Sequence, residues 1–213
     1  MKKKLLLVLL GIVLLIALAV AFVPQVRIIG LVVYHNVFVS STKFEVAGND
    51  LYMDGYICSK TSAQLKKIIE ENPQVTRIVM KEVTGSLDDE TNLEMSIWVH
   101  EKGLDTHLLK DSDIESGGVD FFESGINRTM ENGAKIGVHS WASVGANSEE
   151  VLPKDLPKDD PEHKKYVDYT IRMLGSDEFY WYTIKAAPAE GMYMMTNDEI
   201  EHFGLVTQPI IMD

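Results

Sequence analysis

The sequence predicts an α/β domain built on a largely parallel sheet, preceded by an apolar segment long enough to cross a bilayer. Three observations carry this. From residue 43 onward, short β-branched runs alternate with helix-period segments, the pattern of strands joined by crossover helices. The strand-to-helix junctions hold small residues and glycines, as at Thr84-Gly85-Ser86 and Ser116-Gly117-Gly118. The first residues are Lys2, Lys3 and Lys4, followed by a run from Leu5 to Val23 without a polar residue and closed by Pro24.

Composition bounds the rest. The chain has 213 residues, 46% of them hydrophobic, and a formal net charge of −12. With the first segment set aside, about 190 residues remain, enough for one well-buried domain. The acidic balance argues against nucleic-acid binding, because phosphates would be repelled. Cys58 is the single cysteine, so no intramolecular disulfide can form. His35, His100, His107, His163 and His202 are scattered without metal-ligand spacing, and no phosphate loop or dinucleotide fingerprint is present. No metal or cofactor is expected.

The N-terminal segment, residues 1–24, reads as a membrane anchor or a signal peptide. The lysines favour the cytoplasm, which sends the remainder across the membrane. Ala17-Leu18-Ala19 and Ala19-Val20-Ala21 are small-x-small sites compatible with cleavage. The length of the run favours an uncleaved single-pass anchor, with the folded domain on the extracytoplasmic side. Residues 25–42 form a Val- and Ile-rich juxtamembrane segment, and residues 43–213 the folded domain.

Within that domain, Lys43–Val46 and Leu51–Ile57 flank Ala47-Gly48-Asn49-Asp50 and read as a hairpin. Thr61, with Gln64 three residues on, is expected to cap a helix whose apolar stripe is Leu65, Ile68 and Ile69, stopped by Asn72-Pro73. Thr76–Met80 is a strand. A helix is expected from about Asp88, where acids suit its N-terminus, to Lys102 before Gly103. Leu104–Leu109 is the next strand and leads to Ser116. Lys135-Ile136-Gly137-Val138-His139 is a short apolar strand ending in histidine. Residues 147–163, with Pro153, Pro157 and Pro161, read as an exposed loop, either a lid or an inert insertion. Helices are expected at about Lys164–Leu174 and Asp177–Ala186. The second carries Phe179, Tyr180, Trp181 and Tyr182, read as core or a subunit interface. Thr196 and Glu199 form a capping box for a last helix, and Leu205–Met212 is a closing strand.

Ser116 is the candidate nucleophile and His139 its base. A serine at the first turn of a helix lies beside unpaired N–H donors and the positive dipole end. Gly85 and Gly117 sit at neighbouring strand–helix junctions, which makes their backbone N–H groups a candidate oxyanion pair. The competing reading is plain: Ser-Gly-Gly as a helix cap and His139 as a satisfied polar residue.

The order of these motifs resembles the Clp-protease/crotonase superfamily, most closely its Clp-like serine peptidases with an N-terminal membrane segment. The likeness runs from about Leu51 to Val206. It includes Val83-Thr84-Gly85-Ser86, Glu115-Ser116-Gly117-Gly118, Phe122-Glu123-Ser124-Gly125 with Arg128, and Ile136-Gly137-Val138-His139. The resemblance implies a spiral of β-β-α repeats and a membrane-anchored serine hydrolase, a peptidase taking peptide or protein substrates and able to form homo-oligomers. Ser116 falls on the family's nucleophile, His139 on its general base, and Gly85 and Gly117 on its oxyanion donors. Two departures stand out. The oxyanion loop reads Val83-Thr84-Gly85 where the family has Pro-Gly-Gly. The triad's acid aligns on Met192, leaving Glu190 as the first candidate to orient His139 and Asp168 and Asp120 as alternatives. Two other readings remain: a Clp-like envelope scaffold without catalysis, and a crotonase-like acyl-thioester enzyme, against which the Ser-His pair argues.

Overall fold

The computed structural model describes residues 42–144 and 149–212. The expected anchor at 1–24 and all of the juxtamembrane segment except residue 42 lie outside the described residues. Among the described residues no helix is long and apolar enough to cross a membrane.

A hairpin of β1 (Thr42–Ala47) and β2 (Asp50–Gly55) opens the domain. Helix α1 (Thr61–Glu71) follows. Thr61 is its first helical residue and not its cap; the Thr61 hydroxyl instead accepts from the Cys58 N–H at 2.9 Å and meets the Thr42 hydroxyl at 2.6 Å. Being fully buried, that hydroxyl needs these partners. Strand β3 (Arg77–Val83) leads to α2 (Asp89–Glu101), which is capped as expected by the Asp88 side chain on the Thr91 N–H at 3.0 Å.

Strand β4 (Asp105–Glu115) runs further than its apolar pattern suggests. The polar run Lys110-Asp111-Ser112-Asp113 stays in the sheet across a register shift against β3. Ser112 makes this possible: its buried hydroxyl donates to the Met80 carbonyl at 2.5 Å and accepts from the Leu109 N–H at 2.9 Å. The strand therefore continues to the residue before Ser116. Helix α3 (Gly117–Glu123), β5 (Arg128–Met130) and β6 (Lys135–Val138) complete the central part.

These strands form one seven-stranded sheet in the order β1-β2-β3-β4-β6-β9, with β5 beside β4; β9 is Tyr193–Met194. Pairings β2–β3, β3–β4, β4–β5 and β4–β6 are parallel, while β1–β2 and β6–β9 are antiparallel. Ile78, Val79 and Met80 are all buried, as a central parallel strand covered on both faces requires. Phe121 and Phe122 of α3 are the bulkiest fully buried side chains and fix that helix in the core.

The expected loop at 147–163 is more structured than its prolines suggest. Strands β7 (Ser143–Val144) and β8 (Glu150–Val151) pair antiparallel, a 3-10 turn spans Pro153–Asp155, and Pro161 opens α4 (Pro161–Leu174) behind the Asp160 cap. Proline suits a first helical position, where its missing N–H costs nothing. Helices α5 (Glu178–Ala186) and α6 (Asn197–His202) follow, the latter with the expected Thr196–Glu199 capping box. The tail does not form the expected closing strand. It makes one bridge, Glu131 to Ile211, and Arg128 donates to the Leu205, Gly125 and Gly204 carbonyls. Pro209 lacks the donor that a longer ladder would need.

Candidate functional site

Ser116 sits where β4 turns into α3, with φ 51° and ψ −126°. Among the described residues it is the one non-glycine with positive φ. Such a conformation costs about 1–3 kcal/mol and persists only where the surroundings enforce it. The enforcement is visible. The Ser116 N–H donates to the Gly137 carbonyl at 3.0 Å, and its own carbonyl accepts from the Val119 N–H at 2.7 Å. A Cβ on Gly118 would stand 2.0 Å from the Val83 carbonyl oxygen, and one on Gly117 2.4 Å from Ser86 Cβ. Side chains at either position would push α3 off the end of β3. Asn92 of α2 ties the turn down by donating to the Gly117 carbonyl at 2.8 Å. Ser116 occupies the N-cap position of α3, but its hydroxyl makes no capping bond.

The same close packing brings Gly85 to Ser116. An ideal Cβ on Gly85, whose φ is +147°, would lie 4.0 Å from Ser116 Cβ. Its carbonyl is held by the Ile57 N–H at 3.0 Å. Neither the Gly85 nor the Gly117 N–H donates to any group among the described residues. Two amides without a partner among the described residues therefore lie next to the serine.

His139 follows β6, and it lines one small pocket together with Ser116 and Gly117. The pocket floor is Val119 and Asp120 of α3, and its walls are Asp89, Trp141, Tyr166, Phe179, Tyr180 and Thr183. Phe179 and Tyr180 are buried, as expected of core residues, and also border the site, because one face of α5 turns toward the pocket. The Tyr180 hydroxyl accepts from Trp141 Nε1 at 3.0 Å and lies 2.6 Å from Nδ1 of the fully buried His163. Burial pushes the Tyr180 phenol up to about 12. Tyr166 donates to Asp89 at 3.0 Å, and burial beside that carboxylate holds its phenol well above the usual range. Burial, with the Asp89 charge adding, raises the Asp120 carboxyl to about 7.

Of the residues expected together, Ser116, Gly117 and His139 line one pocket, and Gly85 approaches Ser116 from the neighbouring junction. The fold gathers no acid from the expected set behind the histidine. His139 Nδ1 is buried without a partner among the described residues. Glu190 is exposed and makes no hydrogen bond or ion pair among them. Asp168 pairs with Lys164 at 2.6 Å on the outer surface of α4. Asp120 borders the pocket, but its carboxylate is not hydrogen-bonded to His139. Met192 packs over Gly137, its Sδ 2.9 Å from where a Cβ would be. Asp89, Trp141, Tyr166 and Thr183 had no signal in the sequence, because they come from four separate segments. Among the described residues no group of three His, Cys, Asp or Glu side chains is placed to hold a metal ion.

No family model matches the sequence, and no curated protein does. Solved structures do match the fold. A serine-to-alanine variant of a membrane-bound stomatin-specific protease superposes with a TM-score of 0.54 at 14% identity, over 79% of this chain and 81% of that one. An enoyl-CoA hydratase from Bacillus halodurans gives 0.50 at 12% identity, over 82% and 73%. The protein AtuE of Pseudomonas aeruginosa gives 0.51 at 10% identity, over 82% and 70%. The domain therefore has the mixed α/β fold shared by crotonase-type hydratases and a Clp-like protease. At these identities the likeness speaks for the fold alone.

Proposed function

We propose that this chain is a membrane-anchored serine hydrolase of the cell envelope, acting as a peptidase on the extracytoplasmic side. The observation that carries the reading is the strained backbone of Ser116, between two unpartnered amides and in one pocket with His139. Backbone strain at a single serine whose hydroxyl makes no capping bond supports a nucleophile at this turn. His139 accepts the hydroxyl proton as the serine oxygen attacks a carbonyl carbon. The oxyanion is held by the Gly85 and Gly117 N–H groups. The protonated imidazole then gives its proton to the leaving amine, and water releases the acyl group by the reverse sequence. No metal or cofactor is needed for these steps. The fold is compatible with this chemistry, since a membrane-bound protease shares it.

A fluorophosphonate probe tests the reading. The intact protein is expected to label at one site, and Ser116→Ala to remove the label. Equal labelling of both forms, or none of the native protein, would overturn hydrolysis. The second reading, a binding protein that has lost catalysis, is favoured by one observation: no residue among those described partners His139 Nδ1.

A further inference from the structure

We infer that Glu115, the residue before the nucleophile, is the carboxylate that positions His139; this rests on the hydrolase reading above. Glu115 ends β4 and pairs in register with Gly137 of β6. Its Cγ lies 3.0 Å from where a Gly137 Cβ would be, so its side chain lies over the glycine. His139 is two residues beyond Gly137, just past the end of β6. The missing side chain at 137 leaves room that the Glu115 and Met192 side chains fill together, beside the strand end that leads to the histidine. The buried Nδ1 of His139 lacks a partner, and the half-buried Glu115 carboxyl has no hydrogen bond or ion pair among the described residues.

Two complementary groups, both unpaired among the described residues, therefore lie at the paired ends of β4 and β6. Electrostatics agree. Burial raises the Glu115 carboxyl, the neighbouring Asp113 raises it further, and His139 draws it down. Lys135 of β6 also draws it down, while Glu82 of β3 raises it. Asp113 is engaged with Lys135 at 3.3 Å, which leaves Glu115 as the acid free to turn to the imidazole. A carboxylate on Nδ1–H fixes the tautomer that presents Nε2 to the serine and stabilises the imidazolium formed in the reaction.

The test uses the intact chain and two readouts. The first is the rate of fluorophosphonate labelling against pH for the native protein, Glu115→Gln, Glu115→Asp and Glu190→Gln. Glu115→Gln is expected to lower the plateau rate by about 10- to 100-fold, by analogy with the partners that orient metal-ligating histidines. It also moves the midpoint of the pH profile down, because loss of a negative neighbour disfavours the imidazolium. Glu115→Asp keeps the charge and is expected to retain the native midpoint with part of the rate. Glu190→Gln leaves both unchanged. The second readout is the NMR titration of the His139 ring in a Ser116→Ala background, which needs no turnover. There, adding Glu115→Gln is expected to lower the midpoint by roughly half a unit or more. A His139 titration that Glu115→Gln does not move overturns the inference, even if Ser116 labels. A shifted titration in a protein that never labels keeps the pair and sinks the hydrolase reading instead.

Discussion

Ser116 concentrates the energetic argument at the scale of one residue. Its φ of 51° suits a glycine, and the side chain that makes it useful also makes it costly. Replacing it by glycine removes the strain together with the nucleophile. Ser116→Gly is thus expected to abolish labelling while raising the melting temperature by about 2–6 °C, the equivalent of about 1–2 kcal/mol in a domain of this size. Ser116→Ala abolishes labelling without that gain, since alanine keeps the Cβ. Thermal unfolding of the three proteins checks this, and a Ser116→Gly protein no more stable than Ser116→Ala would mean that the turn holds no strain. The other special residues here act through absence. Gly117 and Gly118 matter for the atoms they lack, as Ser86 and the Val83 carbonyl occupy the space.

Helix α3 shows the same tension at the scale of an element. It is one of the most buried helices, yet it carries two acids on its inner side. Asp120 borders the pocket, and Glu123 is 1% exposed, with Oε2 unpartnered. The Tyr169 hydroxyl donates to the Asp120 backbone carbonyl and not to its carboxylate. Burial raises both carboxyls, Asp120 to about 7. The sign follows from proton counting. Between about pH 4 and 7 the native state holds a proton on Asp120 that the unfolded chain has lost, so stability falls as pH rises through that window. Above it the full cost is present. Asp120→Asn removes this contribution and is expected to raise the melting temperature by about 8 °C or more near pH 8 while leaving it unchanged near pH 4. Melting curves across this range decide the matter; an offset that is the same at both ends would assign the effect to packing.

The whole molecule is acidic, with a net charge of −12, and its first residues pair three lysines with a long apolar run. Attachment through that run predicts that the intact protein stays in the membrane pellet after high-salt and alkaline washes and is released by detergent. It also predicts that Lys2 to Lys4 remain at the N-terminus of the mature protein. A soluble protein whose N-terminus begins near Ala21 would replace the anchor with a cleaved signal. Either result leaves the folded domain, residues 42–212, as described.

The line between what the sequence shows and what it does not is a line between local and distant chemistry. Capping at Asp88 and Thr196, the hairpin at Gly48, the β-α alternation and the Ser-Gly-Gly turn all depend on neighbours a few residues away, and were readable. So were Ser116, His139, Gly85 and Gly117, because a site at strand ends is written in short motifs. The extension of β4 was not, since a polar run becomes strand only when Ser112 finds the Met80 carbonyl. The pocket walls were not, because they come from α2, α4 and α5 and meet only after folding. Nor was the relation of Glu115 to His139, which exists through the pairing of β4 with β6 and the bare backbone of Gly137. The chain alone determined most of the elements, their order and the two residues proposed to react. The tertiary structure decided which side chains surround them, because register and close approach are properties of pairs of segments and not of either one.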